Sequence, residues 1–210
     1  MKKDIHILVT LDIPEEARRR LRRVSEEVSV SVIPGERTKD IPNEVWADTD
    51  ILYTQGILPD PERAPRLKWI QFHSAGVDPY MDHPLLKKKD LVATTMSGVI
   101  TSQIAEYVMM AILAWGQKLP ELLGYQRKRK WPSEKEKFQR LVPQEVRDST
   151  VGILGYGSIG RQVARLLQPF NATVLAVKKN AMQPEDTGFI PEGMGDPHGD
   201  FFERLYPVEA

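Results

Sequence analysis

No cysteine occurs in the 210 residues, which excludes disulfides, thiolate-bound zinc and a cysteine nucleophile at once. Neither sign of charge is in excess, because 29 lysines and arginines meet 29 aspartates and glutamates. Global attraction to nucleic acid or to an anionic membrane is thereby removed, and any partner has to be argued locally. Long apolar runs are missing as well, and nothing approaches the roughly 20 residues that a membrane-spanning helix needs. The basic start, Met1-Lys2-Lys3-Asp4, leads into only a short apolar stretch before Asp12 and Pro14 interrupt it, a strand pattern and not a secretion signal. These absences lead to the expectation of a cytoplasmic protein with no membrane partner, no nucleic-acid partner and no metal. What is present, 41% hydrophobic residues, suffices for ordinary globular cores and argues against disorder.

Residues 5–11 form a nearly continuous apolar run, Ile-His-Ile-Leu-Val-Thr-Leu, as expected of a strand buried on both faces of a parallel sheet. A helix should follow, capped by Asp12 with Glu15 as its capping-box partner and Pro14 in the first turn. Leu21 and Val24 would then face the sheet. The alternation recurs, with strands expected over 28–33, 51–54, 67–72 and 91–94 and a short helix over 42–47. Strands alternating with helical pieces imply a parallel α/β sheet with right-handed crossovers.

The longest helical pattern covers 101–117. It carries Ile104, Val108, Ala111, Ile112 and Trp115 on one face and Tyr107, Met110 and Ala114 on another. A helix apolar on two sides has to be covered on two sides, so a neighbouring domain or subunit is expected there. Gly98, just before it, can supply a hinge. The polar stretch 121–147 contains the basic run Arg127-Lys128-Arg129-Lys130 beside Trp131, read as a solvated helix end and loop at a subunit edge.

Residues 150–154 form a short apolar strand that runs directly into Gly155-Tyr156-Gly157-Ser158-Ile159-Gly160. The helix after it has Ile159, Val163, Leu166, Leu167 and Phe170 on one face, and 173–177 supply a second strand. Together these make a βαβ unit with a dinucleotide fingerprint. Gly155 permits the tight turn, Gly157 lets backbone approach a pyrophosphate, Gly160 lets helix pack on strand, and the helix amides face the phosphates. Where an NAD site places an acid on the ribose, this sequence has Lys178 and Lys179. Two ammonium groups can neutralise a 2′-phosphate, so NADP is favoured over NAD.

The whole pattern resembles the D-isomer-specific 2-hydroxyacid dehydrogenase family. Three motifs carry the resemblance: Ser74-Ala75-Gly76-Val77-Asp78, Thr101-Ser102-Gln103-Ile104-Ala105-Glu106, and the stretch from Val151 to Gly160. It implies a flavodoxin-like parallel-sheet substrate domain over 1–98, followed by a Rossmann NAD(P)-binding domain over 99–210 that is incomplete. It implies hydride transfer between NAD(P)H and a small 2-oxo or 2-hydroxy acid, with the substrate carboxylate on the amides of Ala75, Gly76 and Val77. The same resemblance puts Ile104 near the nicotinamide and Thr101 near the cleft, and implies a homodimer formed through the long helix and the segment after it.

The family's catalytic arginine, glutamate and histidine have no counterpart in these residues, so no catalytic residue is assigned. After Val177 only a Gly/Pro/Asp-rich loop, 188–200, and a short final piece follow, and two strands of the six-stranded dinucleotide domain are visible. The chain therefore reads as a truncated member that does not turn over substrate by itself. Among the histidines, His6 falls in the first strand, His83 in a surface turn and His198 in the terminal loop. His73 adjoins the Ser74-Ala75-Gly76 loop but lacks the spacing of the family's catalytic histidine. Two rival readings remain open: a non-catalytic dinucleotide-binding or corepressor-like sensor, and a dimerising interaction fragment.

Overall fold

The computed structural model describes residues 5–209, so the basic start Met1 to Asp4 lies outside the described residues. The chain divides between Ser97 and Gly98 into two compact units. The first unit is a five-stranded sheet of β1 (Ile5–Val9), β2 (Val28–Val32), β3 (Ile51–Thr54), β4 (Trp69–Phe72) and β5 (Val92–Thr94). All pairings are parallel and the order is β2-β1-β3-β4-β5, the flavodoxin-like arrangement.

Register explains which residues form the core. Leu8, Leu52 and Ile70 lie in one row across β1, β3 and β4, so their side chains share a face. There they pack with Trp46 of α2 (Asn43–Asp48), Ile41, Leu67, Phe72 and Leu85, all buried. The next row, Ile7, Ile51 and Trp69, points to the opposite face, which α1 (Glu15–Arg22) covers in part through Leu21. Val24 does not reach the sheet as its spacing predicts and is 72% exposed. Beside it an apolar groove of about 620 Å³ runs past Ile13, Leu21, Tyr53 and Trp69.

The expected Asp12–Glu15 capping box does not form. Pro14, with φ −56° and no side-chain acceptor, is itself the N-cap. Asp12 is thereby left two residues upstream, out of reach of the first-turn amides, and accepts a hydrogen bond from Arg18 at 2.9 Å instead. Glu15 and Glu16 supply the negative charge that favours a helix start.

The second unit begins with α3 (Thr101–Gly116), α4 (Leu119–Arg127) and α5 (Glu134–Arg140). It continues with β6 (Thr150–Leu154), α6 (Ser158–Leu167) and β7 (Thr173–Val177). A further strand, β8 (Arg204–Tyr206), pairs parallel with β7, so the sheet runs β6-β7-β8. This corrects the expectation of two strands: a three-residue strand carries no periodic signal. The polar stretch also contains more structure than expected, since Ser133 and Glu136 form a capping box that starts α5.

On α3 the core face is Ala105 and Met109, flanked by Val108, Ile112 and Leu113, and it packs against Val163, Ala164 and Leu167 of α6. Trp115, grouped by its spacing with Ile104, Val108, Ala111 and Ile112, is 71% exposed. The helix is apolar nearly all round, so periodicity could not choose between stripes; the small Ala105 decides, because it lets α6 approach. Tyr107, Met110 and Trp115 are left exposed, followed by Leu119, Leu122 and Leu123 on α4. Among the described residues no helix is long and apolar enough to cross a membrane.

Candidate functional site

β6 ends in a turn that its backbone fixes tightly. The amides of Gly155 and Tyr156 both donate to the carbonyl of Val177 on β7, each at 3.0 Å. Gly155 has φ +100°, a left-handed conformation that a side chain disfavours. At Gly160 a Cβ would stand 2.5 Å from the Gly155 carbonyl oxygen and 3.0 Å from Ile153 Cγ2, so only glycine lets α6 pack this closely on the turn. At Gly157 a Cβ would meet nothing within 4 Å. The fold leaves that position open, and a methyl there would project into the space in front of the helix.

That space is a depression of about 410 Å³ lined by Gly155, Tyr156, Gly157, Ser158, Ile159, Gly160, Lys178 and Lys179. Gly157 is the N-cap of α6 and has no side chain to bond the first amides. Those amides have no intrahelical acceptor and carry the positive end of the helix dipole. An uncapped helix start, space in front of it and lysines at the rim together fit the pyrophosphate of a dinucleotide. The two lysines differ, however. Lys178 Nζ donates to the carbonyls of Gln183 at 2.7 Å and Glu185 at 3.2 Å, whereas Lys179 is exposed.

Between β7 and β8, where a parallel pair ordinarily has a helix, residues 178–203 form an irregular strap. Polar side chains of α6 hold it. Arg161, 1% exposed, donates to the carbonyls of Asp196 and Pro184, each at 2.5 Å. Its Nε lies 3.5 Å from Asp186 Oδ2. Gln162 Oε1 accepts from the Gly195 amide at 2.6 Å, and Arg165 Nε donates to the Gly195 carbonyl at 2.7 Å. Asp196 closes the strap on itself by accepting from the amides of Gly199, Asp200 and Phe201. It also accepts from the Tyr156 hydroxyl at 2.6 Å. Burial pushes the Asp196 carboxyl up, but the Tyr156 hydroxyl and the three amides outweigh it and hold the group below the ordinary carboxylate range. Burial first and Asp196 second push the Tyr156 hydroxyl far up, so it stays a donor.

In the first unit the loop after β4 contains Ala75, Gly76 and Val77. Among the described residues no acceptor takes the amide of any of the three. A Cβ on Gly76 would meet only Asp78 Oδ2, at 3.6 Å, so the fold does not demand glycine there. Unpaired successive amides are donors available to an anion. Next to the loop, His73 Nδ1 lies 2.5 Å from the Tyr53 hydroxyl. Burial raises the Tyr53 hydroxyl above its ordinary range, so it stays protonated, and the imidazole tautomer decides which of the two groups donates. His6 bonds Ser31 through Nε2 at 2.8 Å, and His83 Nδ1 accepts from the Leu85 amide.

The structure brings the glycine turn and both lysines around one depression. Thr101, 3% exposed, lies instead under the strap, with Ser158, Phe189, Ile190 and Met194 around it. Gly98, expected as a hinge, has φ +87° and backs onto the Phe189 carbonyl. Ile104 is half-buried and lines no part of the depression. The Tyr156–Asp196–Arg161 network was not anticipated from the sequence. Its one local sign is Asp196-Pro197-His198-Gly199, a turn in which an aspartate accepts from amides just ahead of it.

Residues 109–194 match the model of the D-isomer specific 2-hydroxyacid dehydrogenase NAD binding domain. A glyoxylate reductase of Thermococcus gammatolerans is 29% identical over 181 residues, which is 80% of this chain and 52% of that protein. A D-lactate dehydrogenase of Treponema pallidum is 34% identical over 110 residues, 52% of this chain and 32% of that protein. Among solved structures, a D-isomer specific 2-hydroxyacid dehydrogenase family protein from Aeromonas salmonicida superposes with TM-score 0.72 at 22% identity. The match covers 99% of this chain and 59% of that one. A D-isomer specific 2-hydroxyacid dehydrogenase from Xanthobacter autotrophicus, in complex with NADPH and MES, has TM-score 0.69 at 18% identity, covering 99% of this chain and 59% of that one. The chain spans about half the length of several of the curated relatives it matches.

Proposed function

The chain belongs to the D-isomer-specific 2-hydroxyacid dehydrogenase family, and from that premise we propose that it serves an NAD(P)-dependent oxidoreductase of small 2-oxo and 2-hydroxy acids. The observation that carries this reading is the turn at Gly155, Gly157 and Gly160, in which Gly157 alone is required neither by a positive φ nor by packing, and lines the open depression. The pyrophosphate would lie on the amides of Gly157, Ser158 and Ile159. Thr101 backs the turn beside Ser158 from under the strap, and Ile104 stands one helical turn further along α3. When bound, the nicotinamide supplies or accepts the hydride. The amides of Ala75, Gly76 and Val77 would hold the substrate carboxylate, the group that all 2-hydroxy acids share. The domain division follows the same reading, with substrate on residues 1–98 and NAD(P) on 99–210. A homodimer through Tyr107, Met110 and Trp115 of α3 accounts for their exposure. Sedimentation should then give twice the monomer mass, falling to one with Trp115→Glu; a monomeric wild-type chain would contradict this assignment.

Titration by nicotinamide fluorescence tests the cofactor reading: a saturable signal with NADPH, and a weaker one with NADH, is expected of the 210-residue chain. Because the Lys178 ammonium is already engaged by strap carbonyls, Lys179 is the residue proposed to meet a 2′-phosphate. Lys179→Met should lower the NADPH-to-NADH preference by about tenfold, equivalent to about 1.4 kcal/mol, and Lys178→Met by less. An unchanged preference in Lys179→Met would remove the case for NADP, and no signal with either dinucleotide would refute the cofactor reading as a whole.

A further inference from the structure

Tyr156 lines the depression at the dinucleotide turn, yet its side chain is buried behind it. Its side chain is 1% exposed and points away from the depression, into the strap. The hydroxyl donates to Asp196 Oδ2 at 2.6 Å, the ring lies edge-on to Phe202 at 5.2 Å, and the Arg161 guanidinium covers its face at 4.8 Å. The same Arg161 bonds the Asp196 carbonyl. Two side chains, one from the turn and one from the first turn of α6, therefore meet on one residue of the strap. Asp196 is 1% exposed, and both its carboxylate oxygens are satisfied from within the protein.

A strap that only had to cover α6 could do so with apolar side chains, as crossover helices do. Burying an arginine, an aspartate and a tyrosine hydroxyl is costly unless each is fully paired. Here the Tyr156 hydroxyl, both Asp196 carboxylate oxygens and two of the three Arg161 nitrogens are hydrogen-bonded, while among the described residues Arg161 Nε has only the Asp186 carboxylate nearby. The pairing has a definite geometric result. The backbone of Tyr156 is fixed in front by the Val177 carbonyl and its side chain is fixed behind by Asp196, which leaves the peptide units on either side one orientation. Those units belong to the turn that presents the Gly157 and Ser158 amides.

We infer that Asp196 is a positioning residue for dinucleotide binding, acting through the Tyr156 hydroxyl to hold the turn at 155–158 in the orientation that receives the pyrophosphate. The inference rests on the cofactor reading proposed above. Strap and cofactor site are then one coupled unit, and the coupling is reciprocal: whatever holds the turn also steadies the strap.

Asp196→Asn and Tyr156→Phe in the 210-residue chain test it, with NADPH affinity and melting temperature measured on each. Tyr156→Phe removes one oxygen and keeps the ring, so it serves where Asp196→Asn folds poorly. Each change should weaken NADPH binding by about tenfold or more, as loss of outer partners does at other bound groups, at temperatures well below melting. The double variant should lose no more than the worse single, because both act through one bond. In the wild-type chain, saturating NADPH should slow hydrogen exchange at the Gly199, Asp200 and Phe201 amides, which donate to Asp196. Variants that melt lower yet bind like wild type would overturn the inference and leave Asp196 a clamp for its own loop. So would unchanged exchange at those three amides. A wild-type chain that binds neither NADPH nor NADH would refute the cofactor reading, and the inference with it; wild-type binding together with unaffected variants refutes the inference alone.

Discussion

Gly157→Ala is expected to leave the fold intact and to weaken NADPH binding about a hundredfold, about 2.7 kcal/mol, while Gly160→Ala damages the fold itself. The two glycines stand three residues apart in one turn, and steric surroundings separate them. At Gly157, φ −95° and ψ −163° are open to alanine, and an added Cβ meets nothing within 4 Å. The melting temperature should hold or rise slightly, since alanine restricts the unfolded chain by about 0.4–1 kcal/mol. The new methyl would occupy the approach to the helix amides, so the loss falls on the ligand. At Gly160 the Cβ would press on the Gly155 carbonyl oxygen at 2.5 Å. Backbone on both sides leaves no flexible end to give way. Overpacking strain of about 1–3 kcal/mol outweighs the roughly 1 kcal/mol that alanine gains in a helix. Calorimetry and fluorescence titration on both variants decide the matter. Gly157→Ala that binds NADPH like wild type would place the cofactor elsewhere.

This contrast also shows what the sequence alone makes legible. The turn, its strand and its helix are contiguous over 150–167, each step carries a local reason, and the observed β6 and α6 fall where those reasons put them. The parallel strands of the first unit are readable for the same cause: a strand covered on both faces is apolar at every position, as Ile5 to Val9 nearly is. Legibility ends where the deciding contact is distant or where several choices satisfy one pattern. Tyr156 and Asp196 are 40 residues apart, and nothing near either one announces the other. Arg161 and Gln162 look like the solvated side of an amphipathic helix, yet both are buried because a strap covers them instead of water. On α3 too many apolar residues compete, and the small Ala105 settles the packing in a way that periodicity cannot. At Asp12 a valid capping signal lost to Pro14, whose fixed φ took the N-cap first. The turn followed the same division: its glycine positions were legible, while the Tyr156–Asp196–Arg161 hydrogen bonds behind it were not.

Arg161→Met should cost the second unit about 3–5 kcal/mol, the range for removing one partner from a buried charged network. Methionine fills much of the arginine's volume, so the loss comes from polar groups and not from a cavity. The carbonyls of Asp196 and Pro184 would lose their donor, at about 1–3 kcal/mol for each one left buried and unpaired. Asp186, whose side chain is 15% exposed, would lose the nearby positive charge. The strap 178–203 should then detach, which limited proteolysis reads as rapid cleavage within it, and the melting temperature should fall in step. Arg161→Lys should rescue little, because an ammonium cannot span two carbonyls and a carboxylate as a planar guanidinium does. Acid should reproduce the release in the wild-type chain. The Asp196 carboxyl is held below its ordinary range when folded, so its stabilising contribution is present above about pH 4. That contribution is lost as pH falls through the lower folded value, and proteolysis of the strap at acid pH by an acid-active protease should quicken accordingly. Equal protease resistance in Arg161→Met and wild type at neutral pH would show that the arginine does not hold the strap, and that another contact binds it to α6.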